Sequence, residues 1–297
     1  MKESYGEAPR FHKASLALIS IVDGIIDEYK GAGYLLTIRQ LYYQLVARGH
    51  IENSVRSYDN IVALLTNARL AGLIDWDAIE DPTRGFLEQN HWVSGSQLLH
   101  AVASHYNEDL WDGQETRIFC VIEKEALAGE LGRTCKEFDV PLLPARGYPS
   151  ATMLREFART RIMRACQRIV ILHLGDHDPS GMDMTRDLKE RLSLFSRHQV
   201  NIDFRRIALN MGQIEEQSLP PNPAKVTDSR YTEYQRQYGG ESWELDALSP
   251  PYLHDLVSSH VNKYIDHTVW NAKREKIAGI QARLQKLADN FDNGESP

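Results

Sequence analysis

Between residues 117 and 209 short apolar runs alternate with helical segments, and this alternation restricts the fold more than any other feature of the chain. The runs lie at 117–122 (RIFCVI), 140–144 and 169–174 (IVILHL), and the mixed segment 201–209 closes the series. They are too short to be helices and lack the in-and-out alternation of a half-exposed strand. A strand that is apolar on both faces must be covered on both, which calls for helices above and below a parallel sheet. The stretches at 155–168 and 181–196 read as those crossover helices. The expected class is therefore α/β, with a mostly parallel sheet at about 117–210.

The chain before this point reads as helical. Residues 1–36 contain an amphipathic helix at 13–29. A compact unit follows at 37–84. Thr37-Ile38-Arg39-Gln40 is a capping box that opens a helix running to about Arg48 and stopping at Gly49. A second helix spans about 57–71 and stops at Gly72. The segment Leu73-Ile74-Asp75-Trp76 and a polar turn at 81–84 come next, and the order of elements suggests a winged-helix module. Residues 85–116 read as a linker helix. Beyond the sheet, 211–297 begins with an irregular stretch rich in Pro, Tyr and Gly to about 250 and ends in helices. Ile277, Ile280, Leu284 and Leu287 there share a helical spacing suited to packing or self-association. At 297 residues, two domains are expected.

Composition excludes several classes. No stretch reaches the roughly 18 apolar residues that span a bilayer, and the first residues lack the apolar core of a signal peptide. Cys120, Cys135 and Cys166 are odd in number and form no C-x-x-C pair, which argues against a disulfide framework or zinc ribbon and fits a reducing cytoplasm. The net charge of −7 excludes a polycation that coats nucleic acid. A local exception is the run Arg146, Arg155, Arg159, Arg161, Arg164 and Arg168, opposed only by Glu156.

Three acids stand out. Glu123 ends the first strand and Asp176 and Asp178 end the third, within Gly175-Asp176-His177-Asp178-Pro179-Ser180-Gly181. Sites on open α/β sheets gather at the carboxyl ends of strands. Carboxylates crowded there repel one another and favour a hard cation, and oxygen-only ligation suits magnesium. Asp176 and Asp178 taken alone also read as turn and helix-cap residues; the glycine–proline framing and Glu123 on a second strand end favour the metal. His177 should face the opposite way and pack, and His173 should be buried in the sheet. On a helical wheel Ile38, Leu41, Tyr42, Leu45 and Val46 form one apolar stripe, and Tyr43 falls outside it, on the flank of Arg39 one turn earlier. A phenol beside a guanidinium can attack a phosphate that the guanidinium holds; a surface tyrosine stacked on arginine is the simpler reading of that segment alone. A helix from about Ser150 carrying Arg155 and Arg159 can track a phosphate backbone or be a solvated face paired with acids. Glu244 and Asp246 can add a carboxylate to the metal site, though helix-opening acids are the preferred reading.

Taken together these segments resemble the topoisomerase VI A-subunit family, which includes the meiotic double-strand-break transesterase. Arg39-Gln40-Leu41-Tyr42-Tyr43 is similar to its R-x-ϕ-Y/F-Y motif. Val121-Ile122-Glu123-Lys124-Glu125-Ala126 and Asp176-His177-Asp178-Pro179-Ser180-Gly181 are similar to the V-E-K-x-A and D-x-D-P-x-G motifs of its Toprim domain, and Arg146-Gly147-Tyr148-Pro149 to the segment between them. The resemblance covers about residues 35–185, in the family's order. It implies a CAP-like winged-helix domain at 37–84, a Toprim core at 117–210 and a Toprim extension at 211–297. It also implies a type IIB topoisomerase A-subunit-like activity on double-stranded DNA. Tyr43 would attack a phosphodiester, leaving a 5′-phosphotyrosyl link and a 3′-hydroxyl. Arg39 would bind the scissile phosphate, Glu123, Asp176 and Asp178 would hold magnesium, and Arg146, Arg155 and Arg159 would contact DNA. The tyrosine of one protomer would serve the acids of its partner, so a homodimer is expected, placed in the cytoplasm or on a bacterial or archaeal nucleoid. No G-x-x-x-x-G-K-[ST] loop occurs, so ATP-driven strand passage would need a separate GHKL-type ATPase B subunit. The competing expectations are a hydrolytic Toprim nuclease of mobile-element or defence type, with Tyr43 a bystander, and a non-catalytic DNA-binding winged-helix protein.

Overall fold

The computed structural model describes residues 2, 4, 11–80, 91–145, 147–165 and 167–292. Its centre is a four-stranded sheet of β1 (Thr116–Ile122), β2 (Leu142–Pro144), β3 (Arg168–Leu174) and β4 (Ile202–Ala208), in the order β2-β1-β3-β4. All three pairings are parallel, and β1 and β3 are in register along their whole length, Thr116 opposite Arg168 and Ile122 opposite Leu174. The apolar runs therefore have the physical origin inferred for them. On β1, Ile118, Cys120 and Ile122 enter one core while Phe119 and Val121 enter the other. The first core is closed by α5 (Ala128–Glu137) and the C-terminal helix α10 (Pro250–Asn262), through Leu131, Leu253 and Val257. The second is closed by α6 (Ala151–Phe157) and α7 (Pro179–Phe195), through Leu154, Met184 and Leu188.

The first crossover helix differs from the 155–168 expected. Ser150 caps it, its hydroxyl accepting the Met153 N–H at 3.2 Å, so it starts at Ala151. After Phe157 it widens into a π-helical turn, Ala158–Ile162, with the Met163 N–H donating to the Ala158 carbonyl at 2.8 Å.

The N-terminal helices α1 (Lys13–Gly31), α2 (Ile38–Ala47) and α3 (Val55–Leu70) enclose their own core of Val22, Ile25, Leu41, Leu45, Leu65 and Ile74. The capping box forms as read: the Thr37 hydroxyl accepts the Gln40 N–H at 3.2 Å and Gln40 Oε1 accepts the Thr37 N–H at 2.8 Å. Gly49 and Gly72, with φ of 72° and 71°, supply the left-handed backbone on which α2 and α3 stop. The polar turn at 81–84, expected to begin a wing, lies outside the described residues. α4 (Gly95–His105) packs along the long terminal helix α11 (His267–Asp292), with Gly95 against the Phe291 ring.

Residues 210–250 are more ordered than their composition suggested. They form α8 (Met211–Glu216), α9 (Tyr231–Tyr238) and a two-stranded antiparallel ribbon of β5 (Asn222–Pro223) and β6 (Glu241–Ser242). These elements are too short to carry a hydrophobic period. Of the C-terminal stripe, Ile277 is buried and Leu287 is 50% exposed. Cys120 and Cys135 are buried free thiols, and Cys166 lies outside the described residues. Among the described residues no helix is long and apolar enough to cross a membrane.

Candidate acidic site

The parallel sheet brings Glu123 and Asp176 together, because β1 and β3 are neighbours that end at the same level. Glu123 Oε2 accepts the Asp176 N–H at 3.0 Å, joining the two strand ends. Asp178 opens α7: its Oδ1 accepts the Gly181 N–H at 2.6 Å and the Ser180 hydroxyl at 3.0 Å. Asp178 thus fills the helix-cap role weighed for it while standing close enough to Glu123 to raise its pKa. Burial, then the charge of Asp178, hold the Glu123 carboxyl above its ordinary value. Burial pushes Asp176 up to about 7, and the charges of Glu123 and Asp246 add to it. The two glycines of the motif leave room for these oxygens. A Cβ on Gly181 would stand 2.3 Å from the Asp176 carbonyl oxygen and 3.1 Å from Glu123 Oε2, and one on Gly175 would stand 2.9 Å from Glu123 Oε2.

Two cations serve the acids in different ways. Arg206 of β4 donates to the carbonyls of Gly175, Asp176 and Gly181 at 2.9, 2.6 and 3.1 Å, and so ties the loop after β3 to the first turn of α7. Lys124 stands among three carboxylates, its Nζ 3.2 Å from Asp176 Oδ2, 2.8 Å from Glu244 Oε2 and 2.7 Å from Asp246 Oδ2. Burial opposes its charge, yet Asp246, Asp176 and Glu244 outweigh burial and hold the ammonium above its ordinary pKa. Asp246 is buried, and among the described residues its carboxylate oxygens have no hydrogen-bond partner beyond this ionic contact. Asp176 Oδ1 accepts the Leu245 N–H at 2.7 Å. Glu244 and Asp246 therefore do more than open a helix: Lys124 draws them to the acidic site from the far end of the chain.

The expectation that Tyr43 stands free beside α2 does not hold. Tyr43 is 4% exposed, and its hydroxyl accepts a hydrogen bond from Asn222 Nδ2 at 3.2 Å. Burial, then the charge of Glu244, keep the phenol well above its ordinary pKa. Arg39 is also engaged, donating through Nη1 to Glu244 Oε2 and standing 5.1 Å over the Tyr58 ring. Both residues nevertheless border a cavity of about 170 Å3, whose wall includes Asn53, Tyr58, Asn222 and Glu244. Tyr43, placed outside the apolar stripe by the helical wheel, is instead part of the buried core of its own module, and its hydroxyl is met by Asn222 from about 180 positions away. Through Glu244 and Lys124, a chain of ionic contacts runs from Arg39 to Asp176 within one protomer.

The histidines behave as read: His173 is fully buried in the sheet, and His177 packs among Tyr234, Tyr238 and Trp243. Burial and Arg206 push them down to about 3 and about 4, so both are neutral. Arg155 and Arg159 lie exposed on α6 and its π turn, and Arg146 lies outside the described residues. Lys124 and Arg206 were given no role on sequence, although the first follows Glu123 directly and the second interrupts an apolar strand.

The chain matches no family model, no curated protein and no solved structure. Among the described residues no three acidic, histidine or cysteine side chains are gathered as a ready metal cluster. The donor set still fits a hard cation in chemistry. It is oxygen-only, burial disfavours the ionised form of Glu123 and Asp176, and glycines keep space at its oxygens.

Proposed function

We propose that this chain is a DNA-cleaving transesterase built from a winged-helix module and a Toprim domain, resembling the topoisomerase VI A subunit. The observation that carries the reading is Glu123 Oε2 accepting the Asp176 N–H where two adjacent parallel strands end, with Asp178 opening the next helix, and the ionic chain from Asp176 through Lys124 and Glu244 to Arg39 and the Tyr43 cavity. Glu123, Asp176 and Asp178 would hold magnesium, which when bound neutralises phosphate charge and stabilises a leaving oxygen. Tyr43 Oη forms a bond to phosphorus while the bond from phosphorus to the 3′ oxygen breaks; the phenol gives up its proton and the 3′ oxygen gains one. Glu244 must first release Arg39, which frees a guanidinium for the scissile phosphate. A homodimer pairs the tyrosine of one protomer with the acids of the other. ATP-driven strand passage would require a separate GHKL-type ATPase subunit.

Burial of Tyr43 favours a second reading, hydrolysis at the acidic site with the phenol as a bystander. Plasmid cleavage stopped with detergent separates the two. Protein covalently attached to 5′ ends, lost in Tyr43→Phe, supports transesterification. Free 5′-phosphates from a fully active Tyr43→Phe support hydrolysis. Mixing Tyr43→Phe with Asp176→Asn tests the dimer: a composite site recovers activity on one of its two strands, and a site contained in one chain does not.

A further inference from the structure

The end of the sheet remote from the acidic site carries a second charged feature. α7 begins at the Asp178 cap and runs 17 residues, about 25 Å. At its far end Leu194 and Phe195, with Met163 after the π turn, form the floor of an opening of about 500 Å3 rimmed by Arg155, Arg159 and Arg197. None of these three arginines makes an ion pair among the described residues, nor do Arg161 and Arg164 of the same segment, whereas Arg168, Arg186, Arg191 and Arg205 are paired. Among the described residues no carboxylate borders the opening; Glu156 lies on the neighbouring face, beside Arg155, Arg159 and Arg164. Two backbone features place the rim. The π turn sets Arg159 within a widened coil, a form that recurs at functional sites. Arg197 holds a left-handed backbone with φ of 58°, as does His198 at 54°. The floor is apolar and open, with Leu194 58% exposed.

Unpaired guanidinium groups around an apolar floor suit a ligand with phosphates on its edge and a flat apolar face. Duplex DNA presents phosphates and sugars but keeps its bases stacked inside; a single strand presents both. We propose that this groove binds single-stranded DNA, with phosphates on Arg155, Arg159 and Arg197 and an unstacked base on Leu194 and Phe195. The proposal rests on the DNA-cleaving reading and extends it: a strand unpaired near the acidic site would be led along α7 to this end.

Fluorescence anisotropy in EDTA, with labelled oligothymidine and a labelled duplex over a salt series, tests it. For single strands each phosphate contact contributes about 0.7 to the slope of log affinity against log salt. Replacing all three exposed arginines, R155Q/R159Q/R197Q, is expected to lower that slope by about 2 and to lower the duplex slope by less. Leu194→Ala is expected to weaken oligothymidine binding several-fold at unchanged slope. An unchanged single-strand slope in the triple variant overturns the groove while leaving the acidic site untouched. An equal fall for the duplex overturns the single-strand assignment. A wild-type protein that binds neither probe overturns both this inference and the function it extends.

Discussion

Glu130 offers the cleanest test of the electrostatics at the junction between the helical module and the sheet. It lies on α5, 4% exposed, with Oε2 accepting Gln40 Nε2 of α2 at 2.8 Å and Oε1 without a partner. Burial lifts its pKa from 4.5 to about 7, Glu80 and Asp246 adding to the effect and Gln40 and Arg133 opposing it. Because the folded value lies above the unfolded one, the unfolded chain releases the proton first. Stability from this group is intact below about pH 4.5 and declines as pH rises to about 7. Each pH decade in that interval removes about 1.4 kcal/mol, so roughly 3 kcal/mol is lost across it. Glu130→Gln keeps an acceptor for Gln40 and cannot ionise. Urea unfolding of both proteins at about pH 4.5 and pH 8 isolates the term, since Asp176 and Glu123 titrate in each. The variant should gain about 3 kcal/mol on the wild type between the two conditions. A difference that stays constant with pH would refute the argument that an ionisable group is held there against burial.

Three further outcomes follow from the same contacts. Lys124→Met leaves buried Asp246 without a cation and should cost about 3–5 kcal/mol in urea unfolding, whereas Asp246→Asn leaves Lys124 with Asp176 and Glu244 and should cost about 1 kcal/mol or less; the reverse order would contradict the charge assignment. Gly181→Ala forces a Cβ to within 2.3 Å of the Asp176 carbonyl oxygen and should destabilise by about 1–3 kcal/mol, while Gly212→Ala, with open space around it, should lie within about 0.5 kcal/mol of the wild type. Plasmid cleavage should vanish in EDTA, return with magnesium, and be lost in Glu123→Gln and Asp178→Asn; cleavage that persists in EDTA would exclude the metal-dependent reading.

The sheet was legible because strands covered on both faces leave uninterrupted apolar runs, and the acids because glycine and proline mark where those strands turn. The helix stops were legible at Gly49 and Gly72 for an equally local reason. Tyr43 was not. A helical wheel puts Tyr43 beside the apolar stripe, yet its ring joins the core of its own three-helix module, and its hydroxyl is met by Asn222, brought back by a ribbon too short to leave a pattern. Arg39 and Glu244 are likewise 205 residues apart, and neither spacing nor charge order announces such a pair. The split of Glu244 and Asp246 between helix opening and site turns on Lys124, whose partners only the folded chain reveals.

Arg206 brings positive charge to the acidic loop without closing it. Its guanidinium donates to main-chain carbonyls and to the Thr185 hydroxyl, and to no carboxylate. Glu123, Asp176 and Asp178 all feel its field, yet none loses a lone pair to it. A permanent counter-charge wired into the scaffold softens mutual repulsion among the acids and takes none of their oxygens for itself. Lysine at the same place would keep the charge but could not bridge so many carbonyls, and the loop would lose its template before it lost its potential.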